Sequence, residues 1–231
     1  MRLKIDLHVH TSYSDGSGTI REILKVAENK GLDGLAITDH RVLDGYFEAK
    51  SYGSRLIILP GYEVATDAGH VLIIGLEEEL PPNVGLKRFM SYSEIIDWVR
   101  LNDGLAVLAH PAIEMFNFDR WMRNKPDAVE VLNSLYPLQY FVKRGLNVSL
   151  KLGVAGVGGS DAHSPSNVGN AYTILNLDGE PSERKIKEAI RRNRATYSGS
   201  LAPFSTRLRI GASFLLSSIT RRITNSAWCE A

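Results

Sequence analysis

The chain has 231 residues, 44% of them hydrophobic and 23% charged, with 27 basic and 26 acidic side chains. This length and apolar content predict one large folded domain and exclude disorder as the default state. The balanced net charge of +1 excludes a general attraction to nucleic acid, so local groups must hold any anionic ligand.

The expected cellular compartment follows from the number of cysteines and from the length of the apolar segments. The single cysteine, Cys229, has no partner for an internal disulfide, which fits a reducing compartment. No segment is apolar and long enough to predict a membrane span or a signal peptide. We therefore expect a cytoplasmic protein without a membrane span.

Short apolar runs alternate with amphipathic helical patterns along the chain. The predicted strands are Leu3–Val9, Gly34–Ile37, Leu56–Leu59, His70–Gly75, Leu105–Leu108, Ala128–Leu132, Val154–Val157 and Ala171–Leu175. Such alternation predicts the α/β class, with parallel strands in a barrel or an open sheet. One exception is a hairpin, predicted where Tyr62–Thr66 and His70–Gly75 flank residues 67–69.

Three helix starts are predicted from capping residues. Thr19 and Glu22 have the spacing of a capping box. Ser93 is expected to cap a second helix, and Ser182 a third.

All six histidines lie in short polar motifs, and most of these motifs follow a predicted strand. They are His8, His10, His40, His70, His110 and His163. Loops at the carboxyl ends of strands converge in α/β barrels, so residues far apart in sequence can share one pocket. Imidazole and carboxylate groups are ligands for Zn, Mn and Fe. The pattern therefore predicts a site for several metal ions.

The predicted metal site indicates phosphoester chemistry. His8 and His10 point to the same side of a strand and can hold one ion, and Glu63 can bridge it to a second. Neighbouring ions can clamp a phosphate and lower the pKa of a bound water, so that hydroxide attacks phosphorus. The sequence contains neither a Walker-type phosphate loop nor a Gly-x-Ser-x-Gly motif.

The motifs together resemble those of the PHP (polymerase and histidinol phosphatase) superfamily, from the first strand to about Ser198. In chain order they are Asp6-Leu7-His8-Val9-His10-Thr11, Ser14-Asp15-Gly16, Thr38-Asp39-His40, Pro60-Gly61-Tyr62-Glu63, Gly69-His70, Ala109-His110-Pro111 and Gly159-Ser160-Asp161-Ala162-His163. The resemblance implies a distorted (β/α)7 barrel with a trinuclear site at the carboxyl ends of the strands.

The resemblance also implies three ligand sets for divalent ions, with Zn, Mn and Fe all open. The first set is His8, His10, Glu63 and Asp161. The second is Glu63, His70 and His110. The third is Asp15, His40 and His163. Of the histidines, His70 is the one most open to an ordinary structural reading, as a cross-strand partner in the hairpin.

Two further features bear on the substrate. Asp15 stands at a position where histidinol-phosphatase-like members often carry a histidine. An aspartate there resembles the polymerase-associated members and those that hydrolyse nucleotides or oligonucleotides. The connection between Gly75 and Ser93 is short and leaves no room for the substrate domain that some nucleotide-acting relatives insert there.

We therefore expect a metal-dependent phosphoesterase that acts on a small phosphomonoester or on a nucleotide or oligonucleotide end. Asp161 and Asp39 are the candidates for proton transfer, and Asp39 is also expected to orient a ligand histidine. Arg41 and Asn133 are candidate substrate contacts. For these two residues the alternatives are that Arg41 is a solvated surface residue and that Asn133 only begins a turn. The alternatives are an amidohydrolase-like enzyme and a non-catalytic, metal-stabilised binding or regulatory domain.

The C-terminal tail is expected to be separate from the barrel. Residues 1–200 are predicted to form the catalytic barrel and residues 201–231 an amphipathic tail. Its apolar face comprises Leu208, Ala212, Leu215, Leu216, Ile219 and Ile223. Such a face most often packs on its own domain or on a second subunit, which would make a homo-oligomer.

Overall fold

The computed structural model describes residues 1–81, 90–113 and 117–208. The strands within these residues are β1 (Arg2–Val9), β2 (Gly34–Ile37), β3 (Ile57–Thr66), β4 (Gly69–Ile74), β5 (Leu105–Leu108), β6 (Ala128–Asn133), β7 (Ala155–Gly159), β8 (Ala171–Asn176) and β9 (Ala195–Gly199). The main helices are α1 (Ile20–Asn29), α2 (Asp44–Ser51), α3 (Tyr92–Leu101), α4 (Phe118–Arg123), α5 (Gln139–Leu152) and α6 (Glu183–Arg191).

One sheet of nine strands, in the order β7-β6-β5-β4-β3-β2-β1-β8-β9, curls into a nearly closed barrel. The strands β1, β2, β3, β5, β6 and β7 all run in the same direction. Closure occurs where Ala162, just after β7, forms a parallel bridge with Val9 of β1. The predicted α/β barrel is confirmed. Seven βα units are not, because β3 and β4 form a hairpin and β8 and β9 extend the sheet from β1.

The strand β3 changes its neighbour half way along. Its first half, up to Pro60, pairs in parallel with β2, and its second half, from Gly61, pairs antiparallel with β4. Leu56–Leu59 and Tyr62–Thr66 are predicted from the sequence as separate segments, but the structure has one strand there, Ile57–Thr66. The predicted hairpin is confirmed, and it places Ala65 opposite His70.

Three of the helices, α1, α3 and α6, begin at a residue whose side chain caps the first turn. Thr19 and Glu22 form the predicted capping box of α1, and Ser182 caps α6 as predicted. The predicted cap Ser93 is wrong. Ser91 is the cap of α3, because its hydroxyl accepts a hydrogen bond from the Glu94 amide.

Apolar side chains on these elements form the core between the sheet and the helices. In α1 they are Ile20, Ile23, Leu24 and Ala27, which pack with Leu35 and Ile37 of β2. Their burial holds β2 against β1, so the strand ends that carry polar motifs lie side by side.

The C-terminal tail lies mostly outside the described residues. Leu208, the last of them, is exposed, and the predicted apolar face beyond it falls in residues 209–231. The division at residue 200 and the homo-oligomer therefore stay predictions. No helix in the described part of the chain is long and apolar enough to cross a membrane.

Substitution of the α1 cap tests this account of the helix start. The Thr19 hydroxyl accepts a hydrogen bond from the Glu22 amide at 3.4 Å, and the Glu22 carboxylate accepts one from the Thr19 amide at 2.9 Å. Thr19→Ala should lower the free energy of unfolding, measured with denaturant, by about 1 kcal/mol. Thr19→Ser should keep most of the stabilisation that the cap provides. Equal stability of the two variants would contradict this role.

Candidate metal centre

The barrel brings the polar motifs together at the carboxyl ends of its strands. His8 lies in β1 and His10 directly follows it, while Glu63 lies within β3. The other candidates stand in loops after strands or, in the case of His70, at the start of β4. All six histidines, with Asp15, Glu63 and Asp161, fall into three groups whose ligand atoms converge.

The first cluster consists of His8, His10, Glu63 and Asp161. The Nε2 atoms of His8 and His10 lie 3.1 Å apart. Glu63 Oε2 lies 3.4 Å from the His8 nitrogen and 3.1 Å from the His10 nitrogen. Asp161 Oδ1 is 3.4 Å from both nitrogens. Two imidazole nitrogens and two carboxylate oxygens therefore face a common point.

The second cluster consists of Glu63, His70 and His110. Glu63 Oε1 lies 3.0 Å from His70 Nδ1 and 3.0 Å from His110 Nε2. The two oxygens of this one carboxylate thus face different clusters. The antiparallel hairpin is what returns His70 to the end of the barrel where Glu63 lies.

The third cluster consists of Asp15, His40 and His163, with His10 beside them. Asp15 Oδ2 lies 3.4 Å from His40 Nε2 and 3.3 Å from His163 Nε2. His10 Nδ1 lies 3.5 Å from the other Asp15 oxygen. The Asp15 side chain is 46% exposed, so this cluster lies nearest to solvent.

The charges in the clusters shift each other's pKa strongly. Burial alone would raise the pKa of Glu63, but charged His8 and the hydrogen bonds of His10 and His110 hold it well below its usual range. Burial would lower the pKa of His10 and His110, but hydrogen bonds to carboxylates, with Glu63 common to both, raise each to about 9. The imidazoles therefore favour the ionised form of the buried carboxylates, and the carboxylates strengthen proton binding by the imidazoles.

The same residues fit divalent cations. Each cluster offers imidazole nitrogen and carboxylate oxygen within 4.8 Å of one another, the donor set of Zn, Mn and Fe sites. His10 Nδ1 is buried without a hydrogen-bond partner, and two imidazole nitrogens face each other at 3.1 Å. A cation would satisfy these facing nitrogens, since a lone pair can bind a metal where no hydrogen-bond donor is available.

Left-handed backbone follows three of the strands. The φ angles are 63° at Arg41 after β2, 29° at His110 after β5 and 53° at Asp161 after β7. Non-glycine residues adopt this region at a cost, and it recurs where surrounding structure fixes a functional group. Here it turns the chain sharply, so that His110 and Asp161 face the clusters.

The carboxylate of Asp39 lies elsewhere than the sequence analysis expected. Its oxygens accept hydrogen bonds from the Thr11 amide at 2.8 Å, the Thr11 hydroxyl at 2.6 Å and the Ser14 hydroxyl at 2.5 Å. Asp39 thus contacts the loop that carries Asp15 rather than a ligand histidine.

The two predicted substrate contacts differ in their surroundings. Arg41 is exposed and directly follows His40. Asn133 is buried, and its Nδ2 donates to Glu130 Oε2 at 2.9 Å and to Asp161 Oδ2 at 3.1 Å. Asn133 Oδ1 accepts a hydrogen bond from the Leu135 amide, so both polar atoms of this side chain have partners within the protein.

Two buried carboxylates next to the clusters, those of Glu130 and Asp6, were not among the predicted site residues. Glu130 in β6 lies 3.0 Å from His8 Nδ1. Asp6 in β1 accepts hydrogen bonds from the Ser160 and Gly169 amides, each at 2.8 Å. Burial raises the pKa of Asp6 to about 6, against the lowering effect of these hydrogen bonds. Each is an acidic residue within an otherwise apolar strand, and this feature of the sequence could have identified both as candidate site residues.

The family model described as PHP domain matches residues 6–197 of this chain. An uncharacterized protein of Methanocaldococcus jannaschii is 32% identical over 151 residues, which cover 58% of this chain and 84% of that protein. Phosphoribosyl 1,2-cyclic phosphate 1,2-diphosphodiesterase of Eggerthella lenta is 38% identical over 84 residues, covering 33% of this chain and 32% of that enzyme.

A solved structure shares the fold. It is a two-domain protein from Bacteroides vulgatus containing a predicted PHP-like metal-dependent phosphoesterase. The TM-score is 0.70 and the sequence identity is 18%. The match covers 87% of this chain and 65% of the other protein, so this chain spans less than two thirds of that protein's length. The match over residues 6–197 includes every histidine and carboxylate of the three clusters. The chain belongs to the PHP domain family.

Proposed function

We propose that this chain is a metal-dependent phosphoesterase. This is a more specific activity than the hydrolase role that its family supports. The observation that carries the proposal is the position of Glu63. Its Oε1 faces His70 and His110 at 3.0 Å, and its Oε2 faces His10 at 3.1 Å. A carboxylate shared between neighbouring ion sites would hold two ions close together, and ions so placed would bind the oxygens of one phosphoryl group.

The residues of the three clusters would hold the ions. His8, His10, Glu63 and Asp161 would hold one, Glu63, His70 and His110 a second, and Asp15, His40 and His163 a third. Divalent cations bound there supply the charge that binds phosphate oxygens and lowers the pKa of an attacking water.

Other residues of the chain place these ligands and the substrate. Asp39 fixes the loop of Asp15 through Thr11 and Ser14. Arg41, which is exposed and directly follows His40 in the sequence, is proposed as a contact for a phosphate oxygen. The pKa of Asp161 is held low against its burial by His8 and His10, which favours a ligand over a proton acceptor.

The substrate class is proposed as a small phosphomonoester or a nucleotide or oligonucleotide end. The relative from Eggerthella lenta, whose printed name is that of a diphosphodiesterase, supports phosphoester chemistry over a third of the chain. The exposed third cluster supports access for a substrate from solvent.

Activity on a simple phosphoester tests the proposal. Protein loaded with Mn²⁺ or Zn²⁺ should hydrolyse p-nitrophenyl phosphate, and His8→Ala should lower kcat/KM by at least about 100-fold, because a ligand of the first cluster is lost. Exposed Lys25→Ala serves as the control and should match the unsubstituted protein.

Unchanged activity of His8→Ala, or activity that survives chelation, would contradict the mechanism. A panel of phosphomonoesters, nucleotides, short oligonucleotides, amides and lactones should show turnover of phosphoesters alone. Turnover of amides or lactones instead would favour the amidohydrolase-like alternative. Bound metal without any turnover would favour the binding domain.

Metal binding should release protons, because a cation needs the lone pair that a proton occupies. The pKa of His10 and of His110 is raised to about 9, so both carry a proton at neutral pH in the metal-free site. Zn²⁺ affinity should therefore rise with pH up to about 9. Calorimetry at pH 7 in buffers of different ionisation enthalpy measures the released protons. His110→Ala should release fewer, and a heat independent of buffer would contradict the prediction.

A further inference from the structure

Glu130 is a buried carboxylate in β6 that belongs to none of the three clusters. Its side chain is 1% exposed and is flanked in the strand by buried Val129 and Val131. A carboxylate in such surroundings needs hydrogen-bond donors on both oxygens to offset the loss of water.

Three donors surround this carboxylate. Glu130 Oε1 lies 3.0 Å from His8 Nδ1. Glu130 Oε2 accepts from the His110 amide at 2.9 Å and from Asn133 Nδ2 at 2.9 Å. The donors come from β1, from the loop after β5 and from the end of β6.

We propose that Glu130 is a positioning residue that orients His8 towards the first cluster and sets the affinity of that cluster for its ion. Because the Glu130 carboxylate can only accept, it holds the proton of His8 on Nδ1, and this leaves the Nε2 lone pair facing Glu63 and Asp161. The catalytic consequence of this role rests on the proposed function; the effect on ion binding does not.

A second ligand of the same cluster depends on this carboxylate. Asn133 Nδ2 donates to Glu130 Oε2 and also to Asp161 Oδ2, at 3.1 Å. Glu130 therefore acts on Asp161 through Asn133 as well as on His8 directly. Among the described hydrogen bonds, the one contact of Glu130 with the second cluster is to the backbone amide of His110.

Glutamine cannot replace this carboxylate, although the two side chains have nearly the same shape. All three partners are donors, and they contact both oxygens. A glutamine amide offers one acceptor oxygen and one NH₂ group. With its NH₂ group towards the partners of Oε2, Glu130→Gln leaves the His110 amide and Asn133 Nδ2 without an acceptor. With its NH₂ group towards His8, it forces the His8 proton from Nδ1 onto Nε2, the nitrogen that faces the first cluster.

Gly159 provides an independent way to disturb the same contact. A Cβ at this position would lie 2.6 Å from Glu130 Oε1 and 2.6 Å from the Cβ of His8. Gly159→Ala should therefore separate His8 from Glu130 while both side chains remain present.

The third cluster provides an internal reference. Its members Asp15, His40 and His163 have no contact with Glu130 among the described hydrogen bonds and ion pairs. Loss of the Glu130 contact should thus weaken one ion site and leave this one intact.

The experiment uses the full chain loaded with ¹¹³Cd²⁺, which gives one NMR resonance for each bound ion. His163→Ala assigns the resonance of the third cluster. In Glu130→Gln and in Gly159→Ala, the resonance of the first cluster should shift or vanish while that of the third stays. Competition with a chelator should show Zn²⁺ affinity of one site lowered by about 10- to 100-fold. Exposed Glu94→Gln is the matched control and should bind as the unsubstituted chain.

The outcomes separate this role from a merely structural one. Equal weakening of all ion sites, or unchanged binding in both variants, would overturn the proposal. If Glu130→Gln does not fold, selective loss in Gly159→Ala still supports it, and unchanged binding there overturns it. Selective loss in a protein without phosphoesterase activity would refute the proposed function and leave this inference standing.

Discussion

The structure depends on holding several buried carboxylates and imidazoles close together at one end of a barrel. Glu63 is 3% exposed and has four histidine nitrogens within 3.4 Å of its oxygens. Burying such groups is costly unless each charge is balanced by a partner of the opposite sign. Imidazoles next to Glu63 supply that balance when they carry a proton, and divalent cations can replace the protons because the same nitrogen lone pairs bind either one.

The barrel meets this demand with local departures from regular structure. Where a regular βα unit would follow, β3 turns into a hairpin that returns His70 to the end of the barrel where Glu63 lies. Left-handed backbone at His110 and Asp161 turns each residue towards the clusters. The apolar core packs against the strands and thereby holds the hairpin and the left-handed residues in place. Strain of this kind is typical of sites where the surrounding structure over-determines a functional group.

The sequence predicted the clusters better than it predicted the residues around them. Imidazole and carboxylate are the usual ligands of such metal ions, and the motifs follow strands, so His8, His40 and Glu63 were recognisable as ligand candidates. The partner of Asp39 was not predictable, because Thr11 and Ser14 are ordinary loop residues until the chain folds. The cap at Ser91 was missed because Ser93 lies within the same turn.

Glu130 illustrates a second limit, since a single acid in an apolar strand does not reveal which donors it meets. Glu63 is proposed to be shared by two of three ion sites. Anomalous diffraction from crystals of the zinc-loaded protein would locate the bound ions. We expect three peaks, one in each cluster, with Glu63 between two of them. A single ion, or ions outside the clusters, would contradict this proposal.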